Sequence, residues 1–262
     1  MLRFLSRLGR YLRAKREARA LSRRAIPDPL WALTLARLPF LQGLGAEDEA
    51  QLRRLCSLFL DQKQFHGVRG LVVTDDMALM IAAQACLPVL RHGLGLYSGF
   101  VGIVVQPDEV VARRRVEDED GIVHEYDEPL AGEAMDGGPV MLSWADVADA
   151  GETAEWSYNV VIHEFAHVID MAAGGADGIP PLPDEAARQA WCAVFDPAWE
   201  AFCAEVDAGR DTVIDPYGAE APEEFFAVAV EAFFVNARAL RAETPALYGL
   251  LADWFGQDPA AR

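Results

Sequence analysis

Several features are scarce or missing in this 262-residue sequence, and each absence excludes a class of protein. No run of 18 apolar residues occurs, so no segment is long enough to cross a membrane. The four cysteines, Cys56, Cys86, Cys192 and Cys203, lack a CxxC spacing, which excludes a zinc knuckle and a dithiol redox motif. Basic residues are few: 23 Lys and Arg stand against 41 Asp and Glu, for a net charge of −18. This balance argues against direct nucleic-acid binding.

The basic residues that are present concentrate at the N terminus. Residues 1–24 hold nine of the 23 together with one acid, Glu17, which leaves 14 basic and 40 acidic residues, a net of −26, for the remainder. Arginines interrupt this arm every few residues, so it has no secretory h-region, and we expect reduced cysteines and a cytoplasmic location. Its apolar residues share one helical stripe. Two interpretations fit: an amphipathic helix that contacts a membrane surface or a partner, or a solvated segment that returns to the acidic body.

Strand-like and helix-like segments are segregated along the chain. "AIPDP" at residues 25–29 is a breaker that separates the basic arm from the body. β-branched segments bounded by turn residues predict strands at residues 99–106, 109–116, 121–128 and 139–144. Helical patterns occur at residues 46–62, from 74 to around 88, and at 156–173, 183–206, 222–238 and 244–255. The sequence therefore predicts an α+β fold that is mostly helical, with a small mixed or antiparallel sheet.

The segment "NVVIHEFAHVIDM" at residues 159–171 contains two of the five histidines of the chain. On a helix, His163 and His167 stand on the same face, where both imidazoles can bind one ion. Glu164 is turned about 100° away and can reach a water at that ion without binding the ion itself. This HExxH pattern is the signature of zinc peptidases in which the glutamate is the general base. The alternative is a pair of core histidines that bond to the backbone, which leaves polar groups to satisfy in an apolar helix.

A zinc peptidase also needs a third protein ligand and an open position for water. The apolar helix that is predicted to begin at Pro222 offers Glu223, Glu224 and Glu231. Glu224 and Glu231 are seven residues apart and share a face, so one could bind the metal while the other supports it. Glu223 fits an acid in the first helical turn. Spacing alone leaves the choice open.

Three stretches together resemble the Mlc titration factor A family of bacterial zinc peptidases: "NVVIHEFAHVIDMAAGGADGIP", "IDPYGAEAPEEFFAVAVEAFF" and "PALYGLLADWFGQDP". Around its HExxH motif and third ligand, that family is similar to the catalytic domain of anthrax lethal factor. The resemblance covers residues 30–262 and leaves the basic arm, 1–24, outside. It implies a zincin-like metallopeptidase domain with the sheet beside the HExxH helix, one Zn²⁺ per chain, a peptide or protein substrate and aminopeptidase-type activity. It also implies an alternative function, the sequestration of a transcriptional repressor of the Mlc type.

The resemblance assigns roles to particular residues. The metal ligands of the family fall on His163, His167 and Glu224, a gluzincin-like set. Its general base falls on Glu164, and its active-site tyrosine falls on Tyr217, seven residues before the third ligand.

Two further acids are candidates for supporting the metal ligands. Asp170 lies on the face of the two histidines, where it could accept an imidazole N–H and fix the tautomer, or form an ion pair near the helix end. Glu231 has the same two interpretations. The segment "GGPVMLSW" at residues 137–144 fits an edge strand that pairs with extended substrate, or an ordinary internal strand.

Overall fold

The computed structural model describes residues 14–117 and 123–262, and it describes side chains outside residues 110–130. Much of the basic arm, and with it the predicted membrane-surface or partner contact, lies outside the described residues. Within the described part of the chain, no helix combines the length and the apolar character that crossing a membrane requires.

The described residues form an α+β fold, as the segregation of strands and helices predicts. Most of the helices surround two that are almost completely buried, α6 and α8. The helices are α1 (residues 14–23), α2 (Asp28–Arg37), α3 (Ala46–Gln62), α4 (Asp75–Cys86), α5 (Trp144–Asp149), α6 (Val160–Met171), α7 (Glu185–Asp207), α8 (Pro222–Val235), α9 (Ala237–Glu243) and α10 (Pro245–Phe255). The strands are β1 (Gln64–Gly67), β2 (Gly102–Gln106), β3 (Val110–Glu117), β4 (Val123–Leu130), β5 (Gly132–Ala134) and β6 (Val140–Ser143).

The main sheet is mixed and has the strand order β1-β2-β6-β5. Strands β1, β2 and β6 are parallel, whereas β5 is antiparallel to β6. The edge-strand interpretation of residues 137–144 is wrong, because β6 lies between β2 and β5. The two edges of the sheet are β1 and β5. Strand β5 has three residues, packs beside α6 and leads into β6 through a turn where Gly137 has a φ of +63°. Strands β3 and β4 form a separate antiparallel hairpin between β2 and β5 along the chain.

Helix α6 carries the HExxH segment through the centre of the core. Its N-cap is Asn159, which has an extended backbone and whose side-chain oxygen accepts the N–H of Ile162 at 2.9 Å. Helix α8 opens with Pro222, whose fixed φ suits the first helical position and whose missing N–H costs nothing there. Both helices bury aromatic residues, including Phe165, Phe225 and Phe226. Their packing brings His163 and His167 of α6 to Glu224 and Glu231 of α8.

The described end of the basic arm packs against the body. Both carboxylate oxygens of Asp61 in α3 accept hydrogen bonds at 2.9 Å from the guanidinium of Arg23. Glu17 forms an ion pair with Arg54 of the same helix. Helix α1 is therefore held to α3 by two ion pairs. Helix α1 contributes the basic residue to one of them and the acidic residue to the other.

Candidate metal centre

Three ligand atoms converge where α6 meets the start of α8. The Nε2 atoms of His163 and His167 lie 3.1 Å apart. Oε2 of Glu224 lies 3.2 Å from the first nitrogen and 3.3 Å from the second. Tetrahedral zinc holds such ligands at 2.0–2.1 Å, so two corners of its coordination sphere stand about 3.3 Å apart. The three atoms therefore have the spacing of three corners of a zinc tetrahedron, and two imidazoles with one carboxylate form a donor set that zinc accepts.

The lone pairs of these atoms also favour a cation between them. Nδ1 of His163 lies 2.8 Å from Oε1 of Glu231, so Nδ1 donates to that carboxylate, and whenever the ring is neutral its Nε2 lone pair is directed at Glu224. Oε2 of Glu224 is buried and receives no hydrogen bond. Two acceptors that face each other in a buried site repel unless positive charge lies between them. A metal ion at this point satisfies both.

The pKa shifts of these residues show that, without a metal ion, a proton supplies the positive charge. Burial alone lowers the pKa of His163, but the adjacent carboxylates of Glu224 and Glu231 outweigh it and hold that pKa well above its ordinary value. Burial raises the pKa of Glu224, yet the two imidazoles lower it to about 2. The carboxylate therefore stays ionised and ready to bind a cation.

Glu164 lies beside the three ligands without belonging to them. Its side chain is 5% exposed. Burial raises its pKa to about 7; Glu224 and Glu231 add to the rise, and the two imidazoles oppose it. A carboxylate with a pKa near neutrality can accept a proton and release it again at physiological pH, as a general base must.

Gly132 of β5 leaves space for the side chain of Glu164. A β-carbon at position 132 would lie 2.6 Å from Cγ and 2.7 Å from Cδ of the glutamate, closer than carbon atoms can approach. Any side chain at position 132 would therefore displace the carboxylate of Glu164 or the strand.

Glu231 orients the first histidine from the far side. It is almost completely buried in α8, accepts from Nδ1 of His163 and also accepts the backbone N–H of Asn159. The amide of Asn159 donates in turn to Oε1 of Gln84 at 2.8 Å, and Gln84 donates to the carbonyl of Met80 at 3.1 Å. A chain of buried hydrogen bonds thus links α4, the N-cap of α6 and His163. Such partners fix the tautomer and orientation of a ligating imidazole.

Asp170 has a different role from either of those considered for it. It is completely buried, and its two carboxylate oxygens accept the backbone N–H groups of Gly178 at 2.9 Å and Ile179 at 3.0 Å. Burial raises its pKa, and these backbone hydrogen bonds oppose the rise. Asp170 therefore fixes the loop that follows α6. Its carboxylate accepts hydrogen bonds from the backbone of that loop and not from an imidazole.

Tyr217 lies at the edge of the metal centre, on the short 3-10 helix Pro216–Ala219. The carboxylate of Asp215 caps this helix by accepting the N–H of Tyr217 at 2.8 Å. The tyrosine ring is centred 6.2 Å from the ring of His163, and the side chain is 37% exposed. The Tyr217 side chain is thus close enough to contact a molecule bound at the candidate metal centre, and it is accessible from solvent.

A cleft passes through the centre as two cavities of about 260 and 230 Å³. Both are lined by Gly132, His163, Glu164 and Tyr217. The larger cavity extends towards Val228, and the smaller cavity extends past His167 and Glu224. The candidate metal centre therefore lies where the two cavities meet.

Gly132, Asn159 and Gln84 contribute to the site but are not predicted from the sequence. Asn159 directly precedes an apolar helical run, which is the signal of an N-cap. Gly132 stands in "PLAGEAMD", which has no β-branched residue and lies outside every predicted strand, so its approach to Glu164 has no local signal. Gln84 carries none, because its partner is 75 residues away.

Comparison with known proteins agrees with this geometry. The model of the family described as glucose-regulated metallo-peptidase M90 matches residues 12–256, a range that begins inside the basic arm. Mlc titration factor A of Edwardsiella ictaluri is 37% identical over 228 residues, which cover 86% of both chains. The protein of the same name from Pectobacterium atrosepticum is 35% identical over 230 residues, 86% of this chain and 85% of its own. A Synechocystis protein, "Uncharacterized protein slr2042", is 36% identical over 240 residues, 91% of this chain and 87% of its own.

Proposed function

Since this chain belongs to the glucose-regulated metallo-peptidase M90 family, we propose that it is a zinc metallopeptidase that hydrolyses peptide bonds. The observation that carries the proposal is the convergence of His163, His167 and Glu224 at the spacing of a zinc tetrahedron, with Glu164 beside them. We assign one Zn²⁺ per chain to the three ligands. The set is gluzincin-like, an HExxH motif with a glutamate as third ligand.

The residues around the metal divide the reaction between them. Zinc at this site would polarise the scissile carbonyl and make water more acidic. Glu164 accepts a proton from the attacking water and passes it to the leaving amine. Its buried carboxyl, with a pKa raised to about 7, suits both transfers. Glu231 holds His163 in the tautomer that binds metal.

Substrate positioning falls to the two walls of the cleft. The outer edge of β5 pairs with no other strand among the described residues, so an extended peptide can add to it through backbone hydrogen bonds. On the opposite side, the hydroxyl of Tyr217 donates a hydrogen bond to the carbonyl oxygen as negative charge develops there.

We further propose aminopeptidase-type activity on short peptides or exposed chain ends, as the family resemblance implies. The acidic character of the chain suits a free α-ammonium group. A cytoplasmic location fits the four cysteines, which are all free thiols.

A second candidate function comes from the names of the relatives. Proteins called Mlc titration factor A are named for binding Mlc, so this chain could also bind and sequester a repressor of that type. A protein that only binds a repressor has no use for a buried general base next to a set of metal ligands, and for this reason we rank peptidase activity first.

The test is a peptide-library digest with metal analysis of the same sample. We expect about one zinc per chain, cleavage of library peptides, loss of cleavage with a chelator and recovery when zinc is restored. A protein that binds no zinc, or that leaves the library intact when zinc-loaded, would favour the repressor-binding function.

A further inference from the structure

The larger cavity of the cleft combines apolar walls with an acidic rim. Ala131, Val160 and Val228 contribute apolar surface, whereas Glu109 and Asp215 contribute exposed carboxylates. None of the described residues that line this cavity is Lys or Arg. We refer to it as the acidic-rim cavity. The carboxylate of Glu231 also lines this cavity, but it already accepts hydrogen bonds from His163 and from the backbone N–H of Asn159.

The edge strand shows which part of a peptide enters this cavity. Ala131, directly before β5, lines the acidic-rim cavity alone, Gly132 lines both cavities, and Glu133 and Ala134 line the smaller cavity alone. Antiparallel pairing is slightly the more stable arrangement of two strands. A peptide antiparallel to β5 runs from the smaller cavity to the acidic-rim cavity. The residue that follows the scissile bond therefore reaches the acidic-rim cavity.

On the basis of the peptidase function proposed above, we propose that this enzyme prefers Lys or Arg directly after the scissile bond. The long aliphatic stem of such a side chain packs against Val160 and Val228, while its charged end stays at the wet rim between Glu109 and Asp215. A glutamate or a free α-carboxylate at the same place meets two like charges. The substrates are therefore peptides with a cationic residue on the C-terminal side of the cleaved bond.

The expected selectivity follows from the exposure of the two rim carboxylates. An exposed ion pair changes an equilibrium by a factor of about 2 to 5, so two such contacts together give a preference of roughly tenfold. Because both carboxylates are in contact with solvent, the preference should shrink when the salt concentration rises.

The experiment compares kcat/KM of the zinc-loaded protein on three quenched fluorescent peptides that keep a free N-terminal amine. They differ only in the residue after the scissile bond, which is Lys, norleucine or Glu, and mass spectrometry identifies the cleaved bond. Norleucine keeps the aliphatic stem and lacks the charge. We expect a Lys-to-norleucine ratio of about 10 and a Glu-to-norleucine ratio below 1.

Charge-removing variants test the assignment to the rim. Asp215→Asn keeps the side-chain oxygen that accepts the N–H of Tyr217, and Glu109→Gln preserves side-chain size. The double variant should lower the Lys-to-norleucine ratio to about 2 or less. Asp136→Asn removes the same charge from a separate cavity beyond β5 and should leave the ratio unchanged. Circular dichroism checks that each variant folds.

The outcomes separate this inference from the function on which it rests. Zinc-dependent cleavage with a Lys-to-norleucine ratio near 1, or with a ratio that the double variant does not change, overturns the preference and leaves the peptidase function in place. A preference for Lys before the scissile bond overturns the substrate direction. If none of the three peptides nor the library is cleaved, the peptidase function fails and the preference fails with it.

Discussion

Replacing Gly132 by alanine should displace the general base without touching a metal ligand. The added β-carbon would stand 2.6 Å from Cγ and 2.7 Å from Cδ of Glu164. Ordinary contact between carbon atoms needs about 3.5 Å, so the glutamate or the strand must move by several tenths of an ångström to nearly 1 Å. Glu164 is buried but lines both cavities of the cleft, so the added methyl group displaces its carboxylate into that space.

The displacement can be converted into a rate. A misplacement of 1 Å at a reacting group costs on the order of 10²-fold in rate, so we expect Gly132→Ala to lower kcat/KM by about 10- to 100-fold. Zinc content should stay at the wild-type level, because the displaced residue is not a ligand. The assay pairs hydrolysis of a fluorogenic peptide with zinc measured by atomic absorption on the same preparation.

Gly99→Ala is the matched control, because a β-carbon there meets no atom within 4 Å. It should retain wild-type activity. Activity of Gly132→Ala within about twofold of wild type would show that the position of Glu164 does not limit the reaction. An equal loss in both variants would show that the effect is not specific to the carboxylate.

The remaining predictions concern the metal ligands, their support and the buried base. Glu224→Ala should lower zinc affinity far more than Glu223→Ala, and equal effects in a zinc-competition titration would contradict the choice of ligand. Glu231→Gln replaces an acceptor of the His163 N–H and should lower zinc affinity by about 10- to 100-fold in the same titration; an unchanged affinity would refute its supporting role. The pKa of Glu164 rises from 4.5 to about 7 on folding, so the stability that its protonation contributes is present below pH 4.5 and is lost as pH rises through 7. Glu164→Gln should therefore stabilise the chelated protein relative to wild type by roughly 2 to 3 kcal/mol more at pH 8 than at pH 5. Urea unfolding checks this, and a stability difference that does not vary with pH would contradict it.

Helices with strong local signals could be predicted to within a few residues. Helix α3 begins and ends at the predicted residues, 46 and 62, because acids in its first turn suit the helix dipole. Helix α2 is not predicted, because "AIPDP" signals only a break in the chain. Pro27 is in fact the N-cap of α2, and Pro29 stands in its first turn, where the missing N–H has no helical partner to lose.

The sheet depended on contacts that local sequence does not encode. Strand β1 has four residues, "QFHG", and strand β5 has three, "GEA", so neither carries a measurable alternation. Strand β6 was located within two residues, but whether it is an edge or an internal strand depends on its neighbours. Strand β5, which follows the β3-β4 hairpin along the chain, lies at that edge of the sheet instead.

The candidate site divides in the same way. HExxH spacing places His163 and His167 together on any helix, so this part of the geometry follows from local structure alone. The choice of Glu224 among three glutamates came from the family resemblance, and the packing of α8 on α6 brings it to the histidines. Asp170 is on the expected face, but two backbone N–H groups of the following loop occupy its carboxylate.

The most direct test of the account compares zinc content and peptide hydrolysis in wild-type protein and in Glu164→Gln. The substitution keeps the shape of the side chain and leaves the three ligands in place, but an amide cannot accept the proton of water. We expect about one zinc per chain in both proteins and a loss of kcat of at least about 100-fold in the variant. A variant that keeps most of its turnover, or that loses its zinc, would contradict the assignment of Glu164 as the general base beside a three-residue zinc site.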